Sequence, residues 1–269
     1  MIKVSDVEAG KIKRNVVSLT VGSPGSGKTH LSATYPKAFF IVTEPNGTET
    51  WMNKPELRKN VVGYEYFIPD AQDNDKSLKA MYGNVQTSTI IKEINLAKEM
   101  AKKGEIETLV IDNLTYLIHN KWMHIDKYEQ QFSKSGERNK MAEYGALRSW
   151  CYDFMLNYVM NFPGNIVINC HELLESDEAM ERKIDKSIMY SPNIIGGFRD
   201  DIMGLVSNVF FLMKQQTKEG GKEVYRYYAI TNKRDGRNGK NRFNLPSVIE
   251  NPSYLTIKTA IDEAMKGVK

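Results

Sequence analysis

The stretch Gly22-Ser23-Pro24-Gly25-Ser26-Gly27-Lys28-Thr29 constrains this chain more than any other. It matches the spacing G-x-x-x-x-G-K-[ST]. The β-branched run Asn15 to Val21 precedes it, and Lys28 to Tyr35, of helical composition and closed by Pro36, follows it. Strand, glycine turn and helix in that order form a phosphate cradle. Glycines let backbone N–H groups approach phosphate oxygens with no Cβ in the way. The following helix adds the partial positive charge of its amino end. We therefore expect Gly22, Ser23, Pro24, Gly25, Ser26, Gly27, Lys28, Thr29 and the adjoining His30 to bind a nucleotide. Lys28 would reach the β- and γ-phosphates, and Thr29 would place its hydroxyl on Mg²⁺.

The rest of the chain alternates strands with helices. Ala38 to Thr43 and Glu107 to Asp112 read as buried strands, Val61 to Ile68 as a short one and Asn165 to Cys170 as another. Thr89 to Lys103 carries Ile90, Ile94, Ala97 and Ala101 on one helical face, and Gly104 supplies the stop. Asp70 to Lys79 is polar and reads as exposed. A long helical region with a break near Ser133 to Gly136 runs to Phe162. Val206 to Met213 and Val224 to Thr231 read as late strands, and Leu255 to Met265 as a closing helix. This pattern predicts an α/β fold with a mainly parallel central sheet flanked by helices. With 269 residues and no linker or repeat, one domain is the simpler expectation, with a short arm over 1–14 and a basic hairpin over about 224–245.

Other residues fit a phosphate site. Asp112 ends a buried strand, where a carboxylate can hold the water shell of Mg²⁺, although many strands end in Asp as a turn former or helix cap. Hydrolysis also needs a group that orients or deprotonates the attacking water. Many hexameric P-loop motors of the broader AAA class keep a Glu directly after the strand-end Asp; here that position is Asn113. Glu44, just past the second strand, is the better candidate base, against the plain alternative of a loop carboxylate beside Pro45. His171, after the strand NIVINC, faces the same rim and fits either a γ-phosphate sensor or a structural histidine.

Taken together, GSPGSGKT, Glu44, LVIDNLT, the Cys170–His171 strand end and TNKRDGRNGKNRF resemble the RecA-like P-loop core. The likeness is nearest to phage nucleotide-binding proteins of the Sak-type single-strand annealing group. The resemblance implies ATP and Mg²⁺ bound at subunit interfaces. Lys28 and Thr29 match its phosphate-loop residues, Glu44 its catalytic glutamate, Asp112 its magnesium aspartate and His171 its sensor. Lys233 and Arg234 match the basic residues that reach a neighbour's nucleotide. It further implies a homo-oligomeric ring or filament on single-stranded DNA, DNA-stimulated ATP hydrolysis, annealing or strand exchange, and a single-strand-binding protein as a further partner.

Charge bears on the DNA expectation. The net charge is +4, but Lys214 to Arg242 holds nine Lys or Arg against three Asp or Glu, so the remainder is net negative. Asn232 to Arg242 fits a solvated hairpin, a set of cations acting on the next subunit, or a nucleic-acid contact. Glu172 to Arg199, the second DNA loop by resemblance, holds six carboxylates within Glu172–Asp185 against only Arg182, Lys183, Lys186 and Arg199, and should repel phosphate unless its cations project inward. His119 to Ser149 interleaves Lys121, Lys127, Lys134, Arg138, Lys140 and Arg148 with Trp122, Tyr128, Phe132 and Tyr144, a better single-strand groove unless its aromatics are core. A small-molecule kinase with an Arg-rich lid, and a nucleotide-gated assembly factor with weak hydrolysis, are the alternatives. No apolar run reaches the roughly 20 residues of a membrane span. Cys151 and Cys170 read as thiols of a reducing cytoplasm, that of the host if the chain is phage-encoded.

Overall fold

The computed structural model describes residues 15–70, 73–176, 185–195, 197–220 and 222–266. The arm over 1–14 and Arg182 and Lys183 lie outside them. The apolar runs form β1 (Val17–Gly22), β2 (Ala38–Val42), β3 (Val61–Tyr66), β4 (Thr108–Asp112), β5 (Asn165–Leu174) and β7 (Asn208–Glu219), with β6 (Tyr190–Pro192) between the last two. In the sheet β7, β1, β5, β4, β2 and β3 lie side by side and parallel. Antiparallel β8 (Lys222–Ile230) and β11 (Val248–Glu250) extend it beyond β7. The sheet is thus mainly parallel and flanked by helices, as the alternation predicts.

Period-two alternation sends the strand side chains into two cores. On one face Leu19, Val21, Leu109, Ile111, Ile166, Ile168 and Phe211 pack with helices α4 (Asn74–Tyr82), α5 (Thr89–Lys102), α6 (Leu114–Tyr128), α7 (Lys140–Asp153) and α8 (Phe198–Leu205). On the other, Phe40, Val110, Val167 and Phe210 meet α1 (Lys28–Ser32), α2 (Glu49–Met52), α3 (Pro55–Arg58) and α9 (Tyr254–Lys266). Burial on both faces is why the central strands read as continuous apolar runs.

Several expectations need correction. The helix after the glycine turn ends at Ser32, short of Tyr35. Asp70 to Lys79 is not simply an exposed stretch: α4 begins at Asn74 and buries Leu78 and Tyr82, one helical turn apart. Tyr82 also donates its hydroxyl to the Phe67 carbonyl at 2.5 Å. The break near Ser133 to Gly136 is real, a turn between α6 and α7 closed by a Phe132–Arg138 bridge, with Gly136 at φ 83°. The stretch 224–245 is not one hairpin. β8 pairs with β7, while β9 (Lys233–Arg234) and β10 (Arg237–Asn238) make a separate tight hairpin. That hairpin rides on a small side sheet, because β5 runs four residues past Cys170 to pair with β6, which pairs with β10. Cys151 and Cys170 are free and buried. Among the described residues no helix is long and apolar enough to cross a membrane.

The corrected α4 gives a direct check. Leu78→Ala should cost about 2–5 kcal/mol of stability, the range for emptying a buried leucine site. Lys76→Ala, on the exposed side of the same helix, should stay within about 0.5 kcal/mol of the parent. Urea denaturation of both measures the difference.

Candidate nucleotide site

Strand register gathers the candidate residues at one level of the sheet. Gly22 lies beside His171 on one side and Leu212 on the other, and Val42 lies beside Asp112. All are at the carboxyl rim, where ligands of open parallel sheets bind. A cavity of about 410 Å³ opens there. Its walls include Pro24 to His30 from the loop, Glu44 and Thr50 from the segment after β2, His171 from β5, and Tyr227 and Asn251 from the far side.

The loop between β1 and α1 has the geometry its glycines predict. A Cβ on Gly22 would stand 2.8 Å from the Leu212 carbonyl oxygen, so only glycine fits against β7 there. Gly27 has φ 97°, a left-handed conformation that disfavours any side chain, and Tyr227 packs over it with a ring carbon 3.1 Å from where a Cβ would sit. No side chain caps the amino end of α1.

Lys28 is 6% exposed, and its Nζ donates to the carbonyls of Gly22 at 2.8 Å and Ser23 at 3.0 Å. Burial lowers its pKa, against the pull of Asp112 and Glu44. Thr29 Oγ1 donates to Asp112 Oδ2 at 2.8 Å. Burial raises the Asp112 carboxyl above its ordinary value, opposed by the Thr29 hydroxyl, Asn169 and Lys28. Asp112 Oδ1 and Ser26 Oγ are buried with no hydrogen-bond partner among the described residues. Buried polar atoms without partners are uncommon, and a bound ion is one physical reason for them. A cation at Asp112 and an anion at the loop would satisfy them, so these residues fit Mg²⁺ and a polyphosphate. No cluster of three or more His, Cys, Asp or Glu suited to a metal occurs among the described residues. Mg²⁺ usually takes one or two carboxylates and completes its shell with phosphates and water, a donor set that Asp112 and Thr29 fit.

Beside this lies a second polar group. Thr43 clamps the end of β4: its hydroxyl donates to the Asn113 carbonyl at 2.6 Å and accepts from the Asn113 N–H at 2.9 Å. The Asp112–Asn113 peptide is cis. Asn113 then serves two elements. Its Oδ1 accepts from the Tyr116 N–H at 3.0 Å and caps α6, while its Nδ2 donates to Glu44 Oε2 and stands 3.2 Å from His171 Nε2. His171 Nε2 is 3.6 Å from the same glutamate oxygen. The His171 ring first, then Lys28 and Asn113, hold the Glu44 carboxyl below its ordinary range, against the opposite effect of burial. The position that carries no glutamate therefore holds the one after β2 in place. In the sequence Asn113 stands out only as the position where a glutamate is missing, and nothing marks Tyr227 as a neighbour of the loop.

Lys28, Thr29, Asp112, Glu44 and His171 thus meet, and His30 lines the same cavity. Lys233 and Arg234 do not join them. They are 51% and 55% exposed and pair with Asp185 and Asp235. Neither lines the cavity, so no lid of these residues closes it within the chain. In the stretch expected to form a groove, His119 to Ser149, Phe132, Lys134 and Tyr144 are exposed, but the other cations are engaged within the chain. Lys121 is buried and bonded to the Tyr82 carbonyl and Glu129. Lys127 pairs with Asp75, Arg138 with Glu143 and Asp126, Lys140 with Asp126 and Arg148 with Asp201. Trp122 stacks on Tyr144 at 4.5 Å.

The two roles of Asn113 can be separated. Asn113→Ala should lose the cap, at a cost of about 1 kcal/mol, and also free Glu44. Asn113→Asp keeps an acceptor for the Tyr116 N–H but sets a carboxylate against Glu44. At this fully buried position the added charge should lower the melting temperature further than loss of the cap does in Asn113→Ala, a ranking that thermal melts of the two variants resolve.

In comparison with known families, a model described as an AAA domain matches residues 14–243. No curated protein matches the chain.

Proposed function

The chain belongs to the AAA-domain family of P-loop ATPases, and on that premise we propose that it hydrolyses ATP with Mg²⁺ and assembles on single-stranded DNA to promote annealing or strand exchange. The observation that carries the ATPase reading is the convergence of Lys28, the Thr29–Asp112 pair and the Glu44–Asn113–His171 group on one cavity. Lys28 exchanges loop carbonyls for phosphate oxygens. Thr29 and Asp112 would hold Mg²⁺, which supplies charge neutralisation at the phosphates. Glu44, kept ionised, takes the proton of the attacking water. Asn113 and His171 hold Glu44 in position, and His171 reads the terminal phosphate.

The DNA reading is supported by the RecA-like order of these elements, by the likeness to Sak-type phage annealing proteins, and by the cation surplus of Lys214 to Arg242. In this reading the chain works in the cytoplasm, as a ring or filament with a single-strand-binding protein as a further partner. Lys233 and Arg234, exposed at the rim, act on the nucleotide of the next subunit. Binding of labelled single-stranded DNA with and without ATP–Mg²⁺ tests it, and absence of binding even at low salt would refute it.

Glu44→Gln should keep ATP binding and slow turnover by about 10²-fold or more, the scale of a lost general base; single-turnover kinetics measure it. The pH profile carries a sign. A base with a lowered pKa stays ionised to lower pH, so the acid limb of turnover should fall below the ordinary glutamate range. His171→Gln removes the largest lowering influence and should move that limb to higher pH.

A further inference from the structure

The basic stretch of the chain resolves into two structures, and they spend their cations differently. In the β9–β10 hairpin, Lys233 and Arg234 pair with carboxylates, and Arg237 is held by Glu172 through two bonds of 2.6 and 3.0 Å. The β7–β8 ribbon is different. β7 leaves β1 after Leu212, and from Met213 to Lys218 its partner is β8 alone. The ribbon thus extends past the carboxyl rim.

Register sorts its side chains. Lys214 lies opposite Tyr227, Gln216 opposite Tyr225, and Lys218 opposite Glu223, so these six share one face. Arg226, on the other face, pairs with Glu250. On the first face Lys214, Gln216 and Lys218 are exposed, and Tyr225 is 48% exposed. The Lys214 ammonium sits 3.9 Å over the Tyr225 ring. Neither lysine has a salt bridge to a carboxylate among the described residues, although exposed Glu223 stands across from Lys218.

We propose that this ribbon face, Lys214, Gln216, Lys218 and Tyr225, is the surface that takes single-stranded nucleic acid. The inference rests on the DNA reading above and gives it a place. The chemistry is that of a single-strand groove: cations for phosphates, a flat ring for a base and an amide for base edges. The two lysines stand four residues apart, about 13 Å along the strand. The same face continues inward to Tyr227, which packs on Gly27 of the nucleotide loop. A strand lying on the ribbon therefore bears on the nucleotide site through one side chain, a direct route for DNA to alter turnover.

Anisotropy of a labelled oligothymidylate with the full chain, over a series of salt concentrations, tests this. Lys214→Ala/Lys218→Ala should weaken binding on the order of tenfold and reduce the salt slope by about 1.4, or about 0.7 per cation on a single strand. Tyr225→Ala should weaken it roughly fivefold or more with the slope unchanged, and Tyr225→Phe should restore it. Turnover without DNA should match the parent in all three, and its stimulation by DNA should fall in the two alanine variants. Lys92→Ala, an exposed lysine on α5, should change nothing. If the parent binds DNA and the ribbon variants bind as tightly, the surface is wrong and the DNA reading stands. If the parent does not bind at low salt, both fall. Variants whose sedimenting mass drops while DNA affinity holds would make the ribbon a contact between copies of the chain and overturn the proposal.

Discussion

A buried ammonium organises this molecule. Lys28 is almost fully removed from water at the end of the central sheet, and such a cation is tolerated only where oxygens replace its hydration. The carbonyls of Gly22 and Ser23 do so at 2.8 and 3.0 Å, which requires the loop to curl around the side chain. Glycine makes the curl possible: left-handed backbone at Gly27, and a bare backbone at Gly22 where β7 passes. Asp112 and Glu44 stand near enough to favour the charged lysine. The sheet order β7–β1–β5–β4–β2 brings these groups together from distant parts of the chain.

Around that centre the polar groups are divided between support and reaction. Thr43 and Thr115 work on the backbone: Thr43 pins the end of β4, and the Thr115 hydroxyl accepts from the His171 N–H at 3.0 Å. Asn113 joins α6 to Glu44 through its two amide atoms. Without a partner among the described residues are one oxygen of Asp112 and the Ser26 hydroxyl, both near the loop. A site built to bind a charged group leaves such atoms unpaired, because the ligand completes them. β5 then carries the arrangement outward: His171 faces Glu44, while its neighbour Glu172 grips Arg237 of the small hairpin.

Surface charge follows a similar division. Across α6, α7 and the turn between them, cations and carboxylates are close to balanced, and most of the cations there pair with carboxylates, while Phe132 and Tyr144 stay exposed. Arg138 illustrates this, bonded to the fully buried carboxylate of Glu143 at 2.7 Å and to Asp126 at 2.6 Å. Exposed, weakly engaged charge is found on the β7–β8 ribbon instead. A count of basic residues along the chain cannot separate the two cases, because pairing is a property of the folded surface.

The amino-acid sequence alone determined the alternation of strands and helices, the phosphate loop, the helix over Thr89 to Lys103 with its Gly104 stop, and the carboxylate at the end of β4. Each rests on local physics: period, glycine conformation and strand-end chemistry. α4 was hidden because its polar surface outweighs Leu78 and Tyr82, its two fully buried side chains. Folding in three dimensions adds that Asn113 holds Glu44, that Tyr227 covers Gly27, and that Lys233 and Arg234 lie outside the cavity. Those facts depend on strand order and register, which set residues far apart in the chain at one level of a sheet, and no local pattern encodes that distance.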